Sequence, residues 1–264
     1  DAGLKILPAS DDEGTGILLD GLATAYVGLG EKRKALDYFT RSLPHKKAAR
    51  IRNSEAKTLH SMGLAHFELG ENQEAIARYA EALGILDEIS DKTGRDLVLS
   101  GLGEVYSKLR MTQRAIEYYD QALDIHRKAG DRKSEAYTYT NMGVVFWKSG
   151  DYQKAIDYLN RAIPIMSDIG DERGKALIDN NFGAVYQSLD ESTKAIDYYS
   201  KALARAQGLE DKPLQALINN NLGEIFNGLG QNQKSLELHL RALALSKESG
   251  NKSQEGVTLM NLGV

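Results

Sequence analysis

Seven residues spaced 40 apart, Gly21, Ser61, Gly101, Asn141, Asn181, Asn221 and Asn261, open blocks that align with one another without a gap. A gapless period constrains the fold more than any other feature of the chain. One such block cannot bury its own apolar face, so neighbours must stack into an array in which each unit touches chiefly the next. Down the register the second position is Leu22, Met62, Leu102, Met142, Phe182, Leu222 and Leu262. The third is Ala23 and then glycine from Gly63 to Gly263, and the sixth is Tyr26, His66, Tyr106, Phe146, Tyr186 and Phe226. Later in each block come Ala35, Ala75, Ala115, Ala155, Ala195 and Ser235, then Phe39, Tyr79, Tyr119, Leu159, Tyr199 and His239.

These spacings describe two amphipathic helices per block. Ile178, Phe182, Val185, Tyr186 and Leu189 lie on one helical face, and Ala195, Ile196, Tyr199, Ala202 and Leu203 form a second stripe. The 25 glycines would oppose helix anywhere else, but Gly30, Gly70, Gly150 and Gly230 stand where a left-handed cap ends the first helix. A second boundary recurs as Gly130-Asp131, Gly170-Asp171 and Gly250-Asn251, with Ser90-Asp91 in the same place. Pro213 suits a first helical turn, whereas Pro44 and Pro164 fall inside second helices and predict a local bend. The third-position glycine lies within a helix, at a cost of about 0.5–1 kcal/mol relative to alanine. Its recurrence predicts a close approach of the partner helix, with the small Ala75 and Ala155 series as the facing surface.

Small-x-x-aromatic followed by Ala-x-x-x-aromatic-x-x-Ala resembles the tetratricopeptide repeat. That repeat has about 34 residues and a late proline; this unit is longer and lacks the proline, so it looks more like the long variety in kinesin light chains, Pins-type adaptors and bacterial multi-repeat proteins. The resemblance covers about residues 13–264. It implies an all-α fold, an α-solenoid of antiparallel helix-turn-helix repeats wound as a right-handed superhelix, with a concave groove lined mainly by first helices. A single solenoid domain over 1–264 is expected, with repeats near 13–50, 53–90, 93–130, 133–170, 173–210 and 212–250. Residues 1–12 read as the end of a preceding repeat, because Ala2 to Asp11 match Ala82 to Asp91, and 253–264 read as the start of a further one. Apolar faces open at both ends would favour end-to-end self-association.

The candidate site residues lie on the first helices. Asn141, Asn181 and Asn221 form a column, joined by Asn180 and Asn220 one position earlier. An amide both donates and accepts, so such a ladder can hold the backbone of an extended peptide whatever its side chains. The long-repeat relatives look similar here. The same asparagines could equally staple neighbouring repeats. Trp147, the sole tryptophan, shares a register with Phe67, Ser107, Gln187 and Asn227; it reads either as a partner anchor or as packing between repeats. Tyr137 precedes it by about three turns of the same helix, and spacing leaves open whether the two meet in one pocket. The basic run Lys32, Arg33, Lys34, Arg41, Lys46, Lys47, Arg50 and Arg52 reads as a solvated face or as a contact for an acidic partner.

Signals of chemistry are missing. The five histidines show no ligand spacing, no G-x-S-x-G occurs, and the glycines are used by the repeat, not by a phosphate loop. Absent cysteine removes disulfides and thiolate metal sites and suits a reducing, cytoplasmic setting. A net charge of −4 lacks the positive footprint that nucleic acid requires, and no apolar run is long enough for a membrane span. The expectation is a non-enzymatic interaction scaffold without cofactor or metal, whose groove binds a peptide or protein partner. The alternatives are a sensor module of a larger effector or enzyme, and a homotypic assembly module.

Overall fold

The computed structural model describes residues 11–89 and 94–263. Everything described there is helix or short connection, and the chain divides between Ala129 and Gly130 into two compact units. The first unit contains α1 (Asp12–Gly28), α2 (Lys32–Ala48), α3 (Arg52–Glu68), α4 (Asn72–Glu88), α5 (Arg95–Lys108) and α6 (Thr112–Ala129). The second contains α7 (Arg132–Ser149), α8 (Tyr152–Asp168), α9 (Glu172–Ser188), α10 (Ser192–Gly208), α11 (Lys212–Gly228), α12 (Asn232–Glu248) and α13 (Lys252–Leu262). Within each unit the helices pair as α1 with α2, α3 with α4 and so on, and each second helix also packs on the first helix of the next pair. Residues 1–10, read as the tail of an earlier repeat, and the Ser90-Asp91 boundary lie outside the described residues.

Helix ends follow from two local devices. Gly30, Gly70, Gly150 and Gly230 have φ between +73° and +85°, and Gly130, Gly170 and Gly250 between +68° and +71°, where glycine carries no Cβ penalty. Where the sequence lacks glycine the backbone keeps its shape: Arg50, Arg110, Asp190 and Glu210 adopt φ of +53° to +59°. The next helix begins with an acidic or amide cap. Asp131, Asp151, Asp171, Asp211 and Asn251 each accept a hydrogen bond from the N–H three residues on. Pro213 stands in the first turn of α11, and α2 and α8 continue past Pro44 and Pro164.

The core runs between paired helices. Ala75, Ala115, Ala155 and Ala195 are fully buried, as are Tyr79, Tyr119, Leu159 and Tyr199. The recurring mid-helix glycine does meet a close approach, but the facing surface differs from the expected alanine series. A Cβ on Gly63, Gly103, Gly183 or Gly223 would stand 2.7, 2.8, 2.6 and 2.6 Å from the ring of Tyr79, Tyr119, Tyr199 and His239. Gly143 faces Leu159 at 3.1 Å and the Ala155 carbonyl at 3.3 Å. Each glycine therefore makes room for the large residue of the facing helix, and the alanine one turn earlier lets the backbones close.

A second aromatic contact joins four of the pairs. Tyr26 stacks on Tyr38, Tyr106 on Tyr118, Phe146 on Tyr158 and Tyr186 on Tyr198, with centroids 5.3–5.4 Å apart. Cations cover these stacks: Lys154 lies over Phe146, Arg161 over Tyr158, Lys194 over Tyr186 and Lys201 over Tyr198. In the first unit the basic run is largely tied to carboxylates. Lys32 pairs with Glu68 at 2.9 Å, Lys34 with Glu31 at 2.7 Å and Arg52 with Glu55 at 2.8 Å, and Arg33 reaches Glu71. Lys46 is buried, paired with Asp20, and donates to the Thr58 hydroxyl at 2.6 Å. With these partners in place, the run offers an acidic ligand little uncompensated charge.

Candidate functional site

The first helices of the second unit, α7, α9, α11 and α13, bring four rows of side chains onto one face. The outermost row is Lys133, Arg173, Pro213 and Ser253; next come Tyr137, Leu177, Leu217 and Val257; then Asn141, Asn181, Asn221 and Asn261; and last Val144, Ala184 and Glu224. The spacing i, i+4, i+8 and i+11 places all four rows on one side of each helix. The apolar row is open to solvent, Leu217 at 38% and Val257 at 44% exposure.

The asparagine column separates into two kinds of residue. Asn180 and Asn220, expected in the groove, are only 7% and 3% exposed. Consecutive residues on a helix point about 100° apart at 3.6 residues per turn, so this position turns inward when its neighbour faces out. The Asn180 side-chain oxygen accepts a hydrogen bond from the Asn221 amide at 2.9 Å, which fastens α11 to α9. Asn220 donates to the Thr258 hydroxyl at 2.7 Å, fastening α11 to α13, and its oxygen lies 3.1 Å from His239 Nδ1. Burial holds the His239 imidazole below its ordinary value. Asn141 and Asn181 stay half-buried in the outward row, and among the described residues neither side-chain amide finds a hydrogen-bond partner.

The aromatic candidates do not share a pocket. The Tyr137 hydroxyl reaches Asp171 at 3.4 Å, at the start of α9, while the Trp147 indole N–H donates to the Ser188 hydroxyl at 2.8 Å, at the end of α9. Gln187 accepts from the Tyr199 hydroxyl at 3.0 Å and so supports the core ring of its own pair.

The two cations of the outermost row are compensated from repeat to repeat. Lys133 pairs with Asp171 at 3.1 Å and Arg173 with Asp211 at 2.8 Å, each acid being the cap of the following first helix. Burial alone would raise the Asp171 carboxyl, but the Gly174 N–H and the Lys133 ammonium outweigh it and hold the group below the usual carboxylate range. Further in, Asp179 is raised by burial against the opposing pull of Arg205, whose Nε donates to it at 3.0 Å. A cleft of about 470 Å³ opens over α9, α11 and α13, lined by Arg173, Leu177, Leu217, Asn221, Asn251 and Val257 among others. The apolar row, missed in reading the sequence, carried a legible signal: Ile17, Leu97, Tyr137, Leu177, Leu217 and Val257 hold this register in every block but one, where Lys57 stands.

Among the described residues no cluster of side chains suits a metal ion, and no helix is long and apolar enough to cross a membrane. The tetratricopeptide repeat family matches residues 94–168 and 174–248. No curated protein sequence matches the chain significantly. Among solved structures, BtubC (BKLC) from P. vanneervenii is 21% identical, with a TM-score of 0.66 over 83% of this chain and 92% of that one. The apo form of RapI is 14% identical, with a TM-score of 0.75 over 94% and 88%. A signal-transduction ATPase with numerous domains and a tetratricopeptide repeat sensor, from Pyrococcus horikoshii, is 19% identical, with a TM-score of 0.72 over 97% of this chain and 40% of that one. At these identities the likeness is one of fold.

Proposed function

Because the chain belongs to the tetratricopeptide repeat family, whose fold typically mediates protein–protein interaction, we propose that it is a binding scaffold that holds a polypeptide segment across the first-helix face of its second unit. The observation that carries this reading is the pair of outward amides on Asn141 and Asn181, which find no partner among the described residues. They stand beside an exposed apolar row and in line with the cleft at Asn221. An amide offers a donor and an acceptor to a peptide backbone, and the apolar row offers area to bury. Tyr137 belongs to the apolar row and Trp147 lies past the last row toward the end of α7, and both would add contact, while Asn180, Asn220 and Gln187 support the face from within. The role is one of binding, not catalysis, and it needs no cofactor.

The test is a quantitative pull-down from a lysate of the source cells with wild type and an Asn141→Ala/Asn181→Ala variant. Both amides are unbonded, so the variant should melt with the wild type. A partner retained on wild type and lost on the variant is expected. Equal recovery of every partner would remove the amide row from the interaction. A second reading, a sensor module of a larger effector, draws on the likeness to the tetratricopeptide sensor, of whose chain this one spans 40%. A nucleotide-binding domain in the full gene product would favour it, and repeats alone would not.

A further inference from the structure

The row that holds Val144 in α7 and Ala184 in α9 carries a glutamate, Glu224, in α11. Glu224 is exposed and lines the cleft over α9, α11 and α13. Every other carboxylate on these three helices and their caps has a cation beside it. Asp171 is met by Lys133 at 3.1 Å, Asp179 by Arg205 at 3.0 Å and Asp211 by Arg173 at 2.8 Å. Glu255 is met by Lys252 at 2.9 Å, and Glu172 by Lys175 and Arg205. The remaining cation of the three helices, Lys212, reaches Glu248 at 3.1 Å. Glu224 accepts a hydrogen bond from the neutral Asn261 amide at 3.2 Å, and no lysine or arginine among the described residues pairs with it. It is the one uncompensated charge on these helices. We infer that the cleft takes a polypeptide segment with a lysine or arginine beside an apolar side chain, the cation on Glu224 and the apolar group on Leu177, Leu217 and Val257. The inference rests on the scaffold reading and gives that site its ligand class.

Three arguments select this occupant. An acidic segment would meet a like charge at Glu224 and find no free cation on α9, α11 or α13 to offset it. An uncharged segment would strip water from an ionised carboxylate and return no opposite charge. A lysine or arginine supplies that charge, and there is room for it: a carboxylate has about four acceptor positions, of which the Asn261 amide takes one. The apolar half of the ligand follows from Leu217 and Val257, whose exposed surface an apolar side chain would cover. Spacing along one helix joins the two halves. Leu217 and Glu224 are seven residues apart on α11, hence on one side of it and about 10 Å apart along its axis. About three residues of extended chain cover that distance, so one short segment reaches both.

The experiment selects random displayed peptides on the intact chain and measures the enriched ones by fluorescence anisotropy. Enrichment of lysine or arginine together with a nearby apolar residue is expected. Glu224→Gln keeps the side-chain shape and an acceptor for Asn261, and should weaken these peptides about fivefold. Glu224→Lys should weaken them about tenfold or more and move a fresh selection toward acidic residues. Added salt should weaken the wild type more than Glu224→Gln. Glu81→Gln, which removes a carboxylate from α4 in the first unit, should leave binding unchanged; an equal loss there would reduce the effect to net charge and overturn the inference. Enriched peptides that lack either the basic or the apolar residue, or a change below about twofold in both Glu224 variants, would overturn it too. If those variants bind normally while Asn141→Ala/Asn181→Ala does not, the scaffold reading stands and the ligand class falls. If no peptide enriches above an unrelated protein, both fall.

Discussion

Gly183 shows how little freedom a single position retains. Alanine is the better helix former by about 0.5–1 kcal/mol, yet a Cβ here would stand 2.6 Å from the Tyr199 ring. Gly183→Ala is expected to destabilise by about 1–3 kcal/mol through overpacking, read from urea unfolding; a gain in stability would show that the ring yields freely. The opposite sign is expected at Asp190, whose φ of +58° sits where four of its counterparts are glycine. Asp190→Gly should stabilise by about 0.5–1 kcal/mol. His239 gives a pH test. Burial depresses its folded-state value, so as pH falls through about 6.5 the unfolded chain takes up a proton that the folded chain refuses. Its contribution is whole above that pH and declines below it. His239→Tyr, restoring the residue found at Tyr199, should flatten the acid side of the melting curve against pH. His60, lowered by burial in the same sense, leaves a smaller residual slope. The repeat made these positions visible, but not their partners. Periodicity says which residues recur; it does not say whether Gly183 faces an alanine or a ring, or which of Asn180 and Asn181 turns inward.

At the scale of the helix pair, the aromatic stacks were not legible. Tyr38, Tyr118, Tyr158 and Tyr198 recur as faithfully as the core aromatics, but each precedes a buried aromatic or leucine and so falls off the apolar stripe. Their partners are supplied by the other helix, which the pattern of one helix cannot report. Tyr158 lies between Phe146, at 5.3 Å, and the Arg161 guanidinium, at 4.9 Å. Tyr158→Ala should cost about 2 kcal/mol, from the lost stack, the lost cation contact and the exposed ring area. Arg78 occupies the same register between Glu74 and Glu81 and pairs with Glu81 at 3.0 Å. Arg78→Ala should therefore cost well under 1 kcal/mol, and equal costs at the two sites would show that the stack adds nothing. Helix existence and pairing, by contrast, were plain, because left-handed glycines and acidic caps punctuate the chain at the block period.

For the whole molecule, contacts between consecutive helices make stability a sum of local terms. Gly183→Ala should reduce amide-hydrogen protection in α9, α10 and their immediate neighbours, with α1–α4 unchanged; a uniform loss would reveal longer-range cooperativity. The first-helix face was legible as a column of asparagines, and its ligand-facing chemistry was not, because compensation between repeats depends on residues about one block apart. Lys133 answers Asp171, Arg173 answers Asp211, and Pro213 is matched by the uncharged Asn251. These pairings work like the dovetails of a joiner's frame, so the blocks are not interchangeable parts. Moving the Pro213 block in front of Asp171 would strand a carboxylate, and setting the Arg173 block before Asn251 would strand a guanidinium. Libraries that shuffle these units should yield well-behaved proteins mainly where the original order of neighbours survives.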